Sequence, residues 1–262
     1  MLIPEPFPEP FKFLAFDTST DRLSVALTDG ERIWQHNGPG GALASTQLIP
    51  TILTLLAEAG LTLNTLDAIV FGRGPGSFTG LRTACAVAQG LAFGAKHGKG
   101  IPVLPVDTLM AVAEEARFAH VFTNVNEATQ PSFSVTALLD ARMDEMYVQR
   151  YDWCIGHWQP LDECTLIRPE NWQPHTADRL LAGNVFEVYA PRLPASLAEL
   201  TCVAALPTAS ALLRLAPALF AAGHCVEAAL ALPLPVRDKV AFTTEERAQI
   251  TMNRLQEAEN KL

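Results

Sequence analysis

The chain has 262 residues, 49% of them hydrophobic, which supplies a core for one large domain or two smaller ones. Its formal net charge of −9, from 19 basic and 28 acidic side chains, argues against extended nonspecific binding of nucleic acid, though a local basic patch survives such an average. The 5 cysteines are odd in number and never form a C-x-x-C pair, a pattern of reduced thiols in the cytoplasm rather than of a disulfide scaffold.

The residues before Phe11 carry four prolines and two acids, without a basic start or a long apolar run, and read as a loose extension rather than a secretory signal. Lys12 to Phe16 reads as a short strand ending at Asp17, and Leu23 to Leu27 as its hairpin partner. Asp29-Gly30 turns toward a third strand near Glu31 to Gln35. Asn37 to Gly41 is a flexible connection, after which Ser45 or Thr46 is positioned to cap a helix running to about Ala59 and stopped by Gly60. That helix carries Leu48, Ile49, Ile52, Leu53, Leu55 and Leu56, an apolar arc wider than one core face needs, so a second burial surface is expected.

Leu66 to Phe71 returns as a strand and enters Phe71-Gly-Arg-Gly-Pro-Gly-Ser-Phe-Thr-Gly-Leu-Arg82, with glycines at 72, 74, 76 and 80 between the strand and the next helix. A glycine turn before a helix N-terminus can hold an anion on free N–H groups. This one is neither the dinucleotide fingerprint nor the lysine-bearing phosphate loop, so a rigid or partner-facing turn competes with the phosphate reading. Arg73 and Arg82 are the local anion contacts, and salt bridges at a helix end or between lobes explain them equally well. From Thr83 to Ala95 the helix is uncharged, with small residues at 86, 90 and 94 on one face and Leu81, Ala84, Ala88 and Leu91 toward the other. Both faces want burial, against the sheet and against either the preceding helix or a partner chain.

Ile101 to Val106 reads as a short strand, and Asp107 or Thr108 as the cap of a helix to about Ala116, followed by a polar turn over 124–131. Ser134 to Leu139 then ends at Asp140, and Met146 to Tyr151 resumes as a strand, repeating the opening order of apolar strand, Asp, polar turn and alternating strand. Asp17 and Asp140 thus mark an internal duplication. They could hold a metal–nucleotide between two lobes, or simply cap turns at strand ends. The remainder holds a tryptophan-bearing, turn-rich segment, a strand at Arg179 to Ala182, helices over Thr208 to Ala222 and near Cys225 to Leu230, and a charged, helix-prone stretch from Thr244 to Asn260. Apolar runs such as Ala204 to Ala222 are broken by Pro207, Arg214 and Pro217, and none reads as a membrane span. No metal-binding histidine spacing and no nucleophile elbow around Ser77 is present, so no catalytic set is visible.

Phe16-Asp-Thr-Ser-Thr20, the segment from Leu66 to Arg82, Ala88-Gln-Gly-Leu-Ala92 and Leu139-Asp-Ala-Arg-Met-Asp-Glu145 together resemble the bacterial TsaB (YeaZ) family. The resemblance implies an actin-like ATPase fold (ASKHA, RNase H-like), two lobes of mixed sheet flanked by helices. Its divisions would be an N-terminal extension over 1–11, a first lobe over 12–115, a second lobe over 116–240 and a helical tail over 241–262. It further implies a cytoplasmic, non-catalytic subunit that pairs with the transferase TsaD. With the ATPase TsaE it would support transfer of threonylcarbamoyl to N6 of adenosine 37 in tRNA, touching tRNA weakly or indirectly and no membrane.

The partner surface implied is the helix pair over 46–59 and 81–95, drawn here as Leu48, Ile52, Leu55, Ala86, Val87, Gly90 and Gly94, with a homodimer on the same face when TsaD is absent. No cofactor is implied for this chain alone, ATP and Mg²⁺ entering with the complex. Asp17, Arg73, Gly74, Gly76, Ser77 and Asp140 are the weak candidates for any ligand. The alternative within the fold is an ATP-dependent small-molecule kinase.

Overall fold

The computed structural model describes residues 10–123, 132–154 and 156–234; the polar turn over 124–131 and the helix-prone stretch after 234 lie outside them. The first sheet is built from β1 (Phe13–Asp17), β2 (Arg22–Thr28), β3 (Ile33–Pro39), β4 (Ala68–Gly74) and β5 (Val103–Asp107), in the order β3-β2-β1-β4-β5. β1 is antiparallel to β2 and β2 to β3, whereas β1, β4 and β5 run parallel. Every residue of β1 is buried, as a strand covered on both faces demands. Leu14 and Phe16 face α1 (Ala44–Ala59) and α2 (Phe78–Gly98), while Phe13 and Ala15 face the opposite side.

The second sheet repeats this plan. Its order is β11-β10-β6-β7-β8, from β6 (Ser132–Asp140), β7 (Met146–Cys154), β8 (His157–Pro160), β10 (Leu180–Gly183) and β11 (Thr201–Ala204); β9 (Thr165–Ile167) also pairs with β7. β6 is antiparallel to β7 and parallel to β10, as β1 is to β2 and β4. Asp17 and Asp140 close the two central strands at equivalent places, so the duplication read from the sequence is present in the fold.

Between the sheets lie α3 (Thr108–Thr123) and α5 (Ala209–Ala221), in one continuous core with Phe13 and Ala15 of the first sheet and Val135, Ala137 and Leu139 of the second. A four-residue helix, α4 (Val185–Val188), caps the far side of the second sheet with Trp172 and Tyr189. α3 extends beyond the expected stop at Ala116 and runs across the residues set as the lobe boundary, because its apolar face is buried between both sheets. α5 returns to the first sheet: Ala209 N donates to Ser24 Oγ of β2 at 2.8 Å.

Glu114 of α3, 1% exposed at its side chain, binds three elements at once. Its carboxylate accepts from Arg117 on the same helix, Arg214 Nε of α5 at 2.9 Å and Trp158 Nε1 of β8 at 3.0 Å.

Other expectations shift at element ends. β3 occupies Ile33–Pro39, taking in part of the expected flexible connection, since Ser24 Oγ donates to Asn37 Oδ1 across the ladder. A 3₁₀ turn over Gly41–Leu43 leads directly into α1, so neither Ser45 nor Thr46 caps it; Gly60 does end it, at φ 66°. Phe11, assigned to the extension, packs its ring on Phe13 at 5.4 Å and on Phe220 at 4.9 Å. Residues 41–59 are long and apolar enough to cross a bilayer by composition alone, yet Leu48, Ile52, Leu55 and Leu56 pack this helix on the sheet.

Candidate functional site

The glycine turn sits on the end of β1, and three of its four glycines match that strand end residue by residue. A Cβ at Gly72 would stand 1.8 Å from Asp17 Oδ2, one at Gly80 1.8 Å from the Thr18 carbonyl oxygen, and one at Gly76 2.6 Å from both Ser19 Cβ and its carbonyl oxygen. Hydrogen bonds fasten the same surfaces: Ser77 N donates to Ser19 O at 2.6 Å, Thr18 Oγ1 to Gly80 O at 2.7 Å, and Gly74 N to Thr108 Oγ1 at 3.1 Å. Ser77 caps α2 by accepting from Gly80 N. The backbone N–H groups of Gly74, Ser77 and Gly80 are thus engaged within the chain.

Asp17 is fully buried. Oδ1 accepts from Ser19 N at 2.9 Å and Ser19 Oγ at 2.6 Å, while Oδ2 has no hydrogen-bond partner. Burial pushes its carboxyl up to about 6, against the pull of the two Ser19 bonds. Arg73 Nε is tied to Asp107 Oδ1 at 2.5 Å.

A cleft of about 460 Å³ separates the lobes. Gly76, Ser77 and Arg82 line it from the first lobe, Asp140, Arg142 and Asn184 from the second, and Pro233 and Leu234 from the last described residues. Asp140 Oδ1 accepts from Arg142 N at 2.8 Å and from Tyr189 Oη at 2.7 Å. Of the six candidates for a ligand, Gly76, Ser77 and Asp140 meet in this cleft, whereas Asp17, Arg73 and Gly74 lie outside its lining.

The candidates for a partner surface also divide. Leu48, Ile52 and Leu55 belong to the core, which corrects their assignment to a docking face: they are the residues that hold α1 on the sheet. The outward side of α1 carries Ile49 and Leu53 instead. On α2, Ala86, Gly90 and Gly94 are exposed and Val87 is half-buried, and a Cβ at either glycine would meet nothing within 4 Å. The helix breaks after this face, where Ala95 turns extended and Lys96 and His97 take positive φ.

A family model described as TsaD: tRNA N6-adenosine threonylcarbamoyltransferase matches residues 42–257. The tRNA threonylcarbamoyladenosine biosynthesis protein TsaB of Escherichia coli is 31% identical over 238 residues, covering 88% of this chain and 96% of that protein. The chain belongs to the TsaB (YeaZ) family.

A TsaB of Haemophilus influenzae is 42% identical over 134 residues, an alignment spanning 51% of each protein, about half the length of that relative. Among solved structures, YeaZ from Pseudomonas aeruginosa superposes with a TM-score of 0.72 at 37% identity, over 86% of this chain and 99% of that one. A second, at the same score and identity, is described as an uncharacterized protein with similarity to peptidase YEAZ from Pseudomonas aeruginosa. The paired mixed sheets are the actin-like ASKHA fold of the TsaB family. Sequence reasoning missed Ile49 and Leu53 as the outward residues of α1, because a wide apolar arc does not say which side the sheet takes. It also missed the pairing of Gly72, Gly76 and Gly80 with Asp17, Ser19 and Thr18.

Proposed function

We propose that the chain is a non-catalytic subunit of the machinery that makes threonylcarbamoyladenosine in tRNA, binding the transferase TsaD through the outward face of α1 and α2 and acting with the ATPase TsaE in the cytoplasm. The pathway comes from the names of the relatives, and the docking role is carried by one observation. α2 buries Ala84, Ala88, Ala92 and Ala95 while leaving Ala86, Gly90 and Gly94 bare on a face that carries no charge from 83 to 95. Small, uncharged, open positions let a second backbone approach closely, and interface cores are depleted of charge.

A kinase of the same fold needs backbone donors for phosphate, and in the glycine turn the N–H groups of Gly74, Ser77 and Gly80 are bonded within the chain. Peptide hydrolysis needs an activated nucleophile, and among the described residues Ser77 Oγ bonds to Gly80 N and to no general base. In this reading ATP and Mg²⁺ enter at the level of the complex. Reconstitution of tRNA modification from purified TsaD, TsaE and the adenylate-forming enzyme tests this: the rate is expected to collapse when this chain is omitted. Equal rates with and without it would refute the reading.

A further inference from the structure

Part of the cleft between the lobes is walled by the end of the described chain. After α5, residues 225–234 run along the first lobe and are fastened at three points. Val226 and Val103 exchange hydrogen bonds of 2.8 and 2.9 Å, Ala231 O accepts from Gln89 Nε2 at 2.9 Å and Cys85 Sγ at 3.0 Å, and Leu234 N donates to Arg73 O at 2.7 Å. Pro233 and Leu234 so held form part of the cleft lining.

The rest of the lining is apolar with two guanidiniums. Phe78 of the first lobe is 44% exposed and carries the Arg82 guanidinium 3.7 Å over its ring; Leu139, Met143, Tyr147 and Val188 line the cleft from the second lobe, together with Arg142. Asp140 lies there too, but its Oδ1 already accepts from Arg142 N and Tyr189 Oη. Arg142, Met143 and Asp144 adopt φ of 61°, 56° and 62°, a left-handed run that is costly for residues other than glycine and persists where its surroundings hold it.

We propose that the chain fills this cleft with its own next residues: 235–242 cross from Leu234 to the second lobe and pack against the turn over 141–145. Where the described chain stops argues for this occupant. Leu234 is pinned in the cleft wall, the sequence continues beyond it, and eight extended residues reach about 26 Å. A segment tethered at the mouth of a cleft of about 460 Å³ meets it at an effective concentration that a separate molecule does not match. Side-chain pattern argues for it as well. In an extended run of Pro235-Val-Arg-Asp-Lys-Val-Ala-Phe242 alternate residues share a side, so Val236, Asp238, Val240 and Phe242 stand together, three apolar groups and one acid for an apolar cleft with two guanidiniums. Arg237 and Lys239 fall on the opposite side, toward solvent. The two lobes are then tied across the cleft by one chain, whatever partner the outward helices take.

The test is hydrogen exchange, read by mass spectrometry, on the full chain and on its Val240→Asp/Phe242→Asp variant. Amides over 141–147 are expected to exchange at least tenfold faster in the variant while those of β1 keep their wild-type rates, because the loss is a local opening of the cleft. Wild-type rates over 141–147 in the variant overturn the proposal. Wild-type rates there that slow only when purified TsaD is added give the cleft wall to a separate partner and overturn it too. Should β1 also accelerate in the double variant, Phe242→Ala is held to the same criterion.

Discussion

Asp17 is a carboxylate held where it costs stability. Its folded value of about 6 lies above the ordinary 3.8, so the folded chain holds this proton more tightly than the unfolded one. The contribution of Asp17 is therefore most favourable below pH 3.8 and is lost as the pH rises through about 6. At pH 7 the ionised group costs about 3 kcal/mol relative to its protonated form. Asp17→Asn keeps an oxygen for Ser19 and removes the charge. Its urea midpoint is expected to exceed wild type above pH 6, with the dependence between pH 4 and 6 flattened; an unchanged profile would mean the carboxyl is hydrated in solution. The position of Asp17 at a strand end is legible in the sequence, but its burial is not, because Gly72 comes against it only through the pairing of β1 with β4.

At the scale of elements, the same residue type does two jobs in the stretch from β4 through α2. Gly72→Ala places a methyl 1.8 Å from Asp17 Oδ2 and is expected to lose at least 2 kcal/mol by denaturant titration, in the range of overpacked cores. Gly90→Ala meets open space inside a helix and is expected to gain about 0.5–1 kcal/mol in the isolated chain. If the two shift stability alike, the close fit of the turn is not what holds those glycines. The strand–turn–helix order, the stop at Gly60 and the uncharged helix are all legible as local patterns. Which arc of α1 meets the sheet is not local, and so Leu48, Ile52 and Leu55 look outward in the sequence and face inward in the fold. The course of residues 225–234 is equally hidden: the helix expected near Cys225 to Leu230 is only a 3₁₀ turn at Ala228–Leu230, and the side chains that bond Ala231 O, Cys85 and Gln89, lie 146 and 142 residues away.

Across the whole molecule, the two halves share one core built on α3 and α5. Glu114→Ala would strand Arg117, Arg214 and Trp158 Nε1 around an empty place, and removing one member of a buried ionic cluster costs about 3–5 kcal/mol. A correspondingly lower urea midpoint, followed by tryptophan fluorescence, is expected; a loss under 1 kcal/mol would show the halves are held by apolar packing alone. The duplication was legible because it repeats a short pattern, strand then Asp then turn then strand. The sharing of helices between the halves was not, since nothing in the spacing says that α5 returns to β2.

The matched glycines have a consequence for what mutation and selection can reach. Gly72, Gly76 and Gly80 answer to Asp17, Ser19 and Thr18 inside the same chain, whereas Gly90 and Gly94 answer to nothing within it. A library randomised over these five positions and sorted only for folding is expected to return glycine at the first three and many residues at the last two. Sorted for partner binding, it is expected to return small residues at all five. The two screens would thus separate the internal grammar of the fold from the part of it written for another molecule.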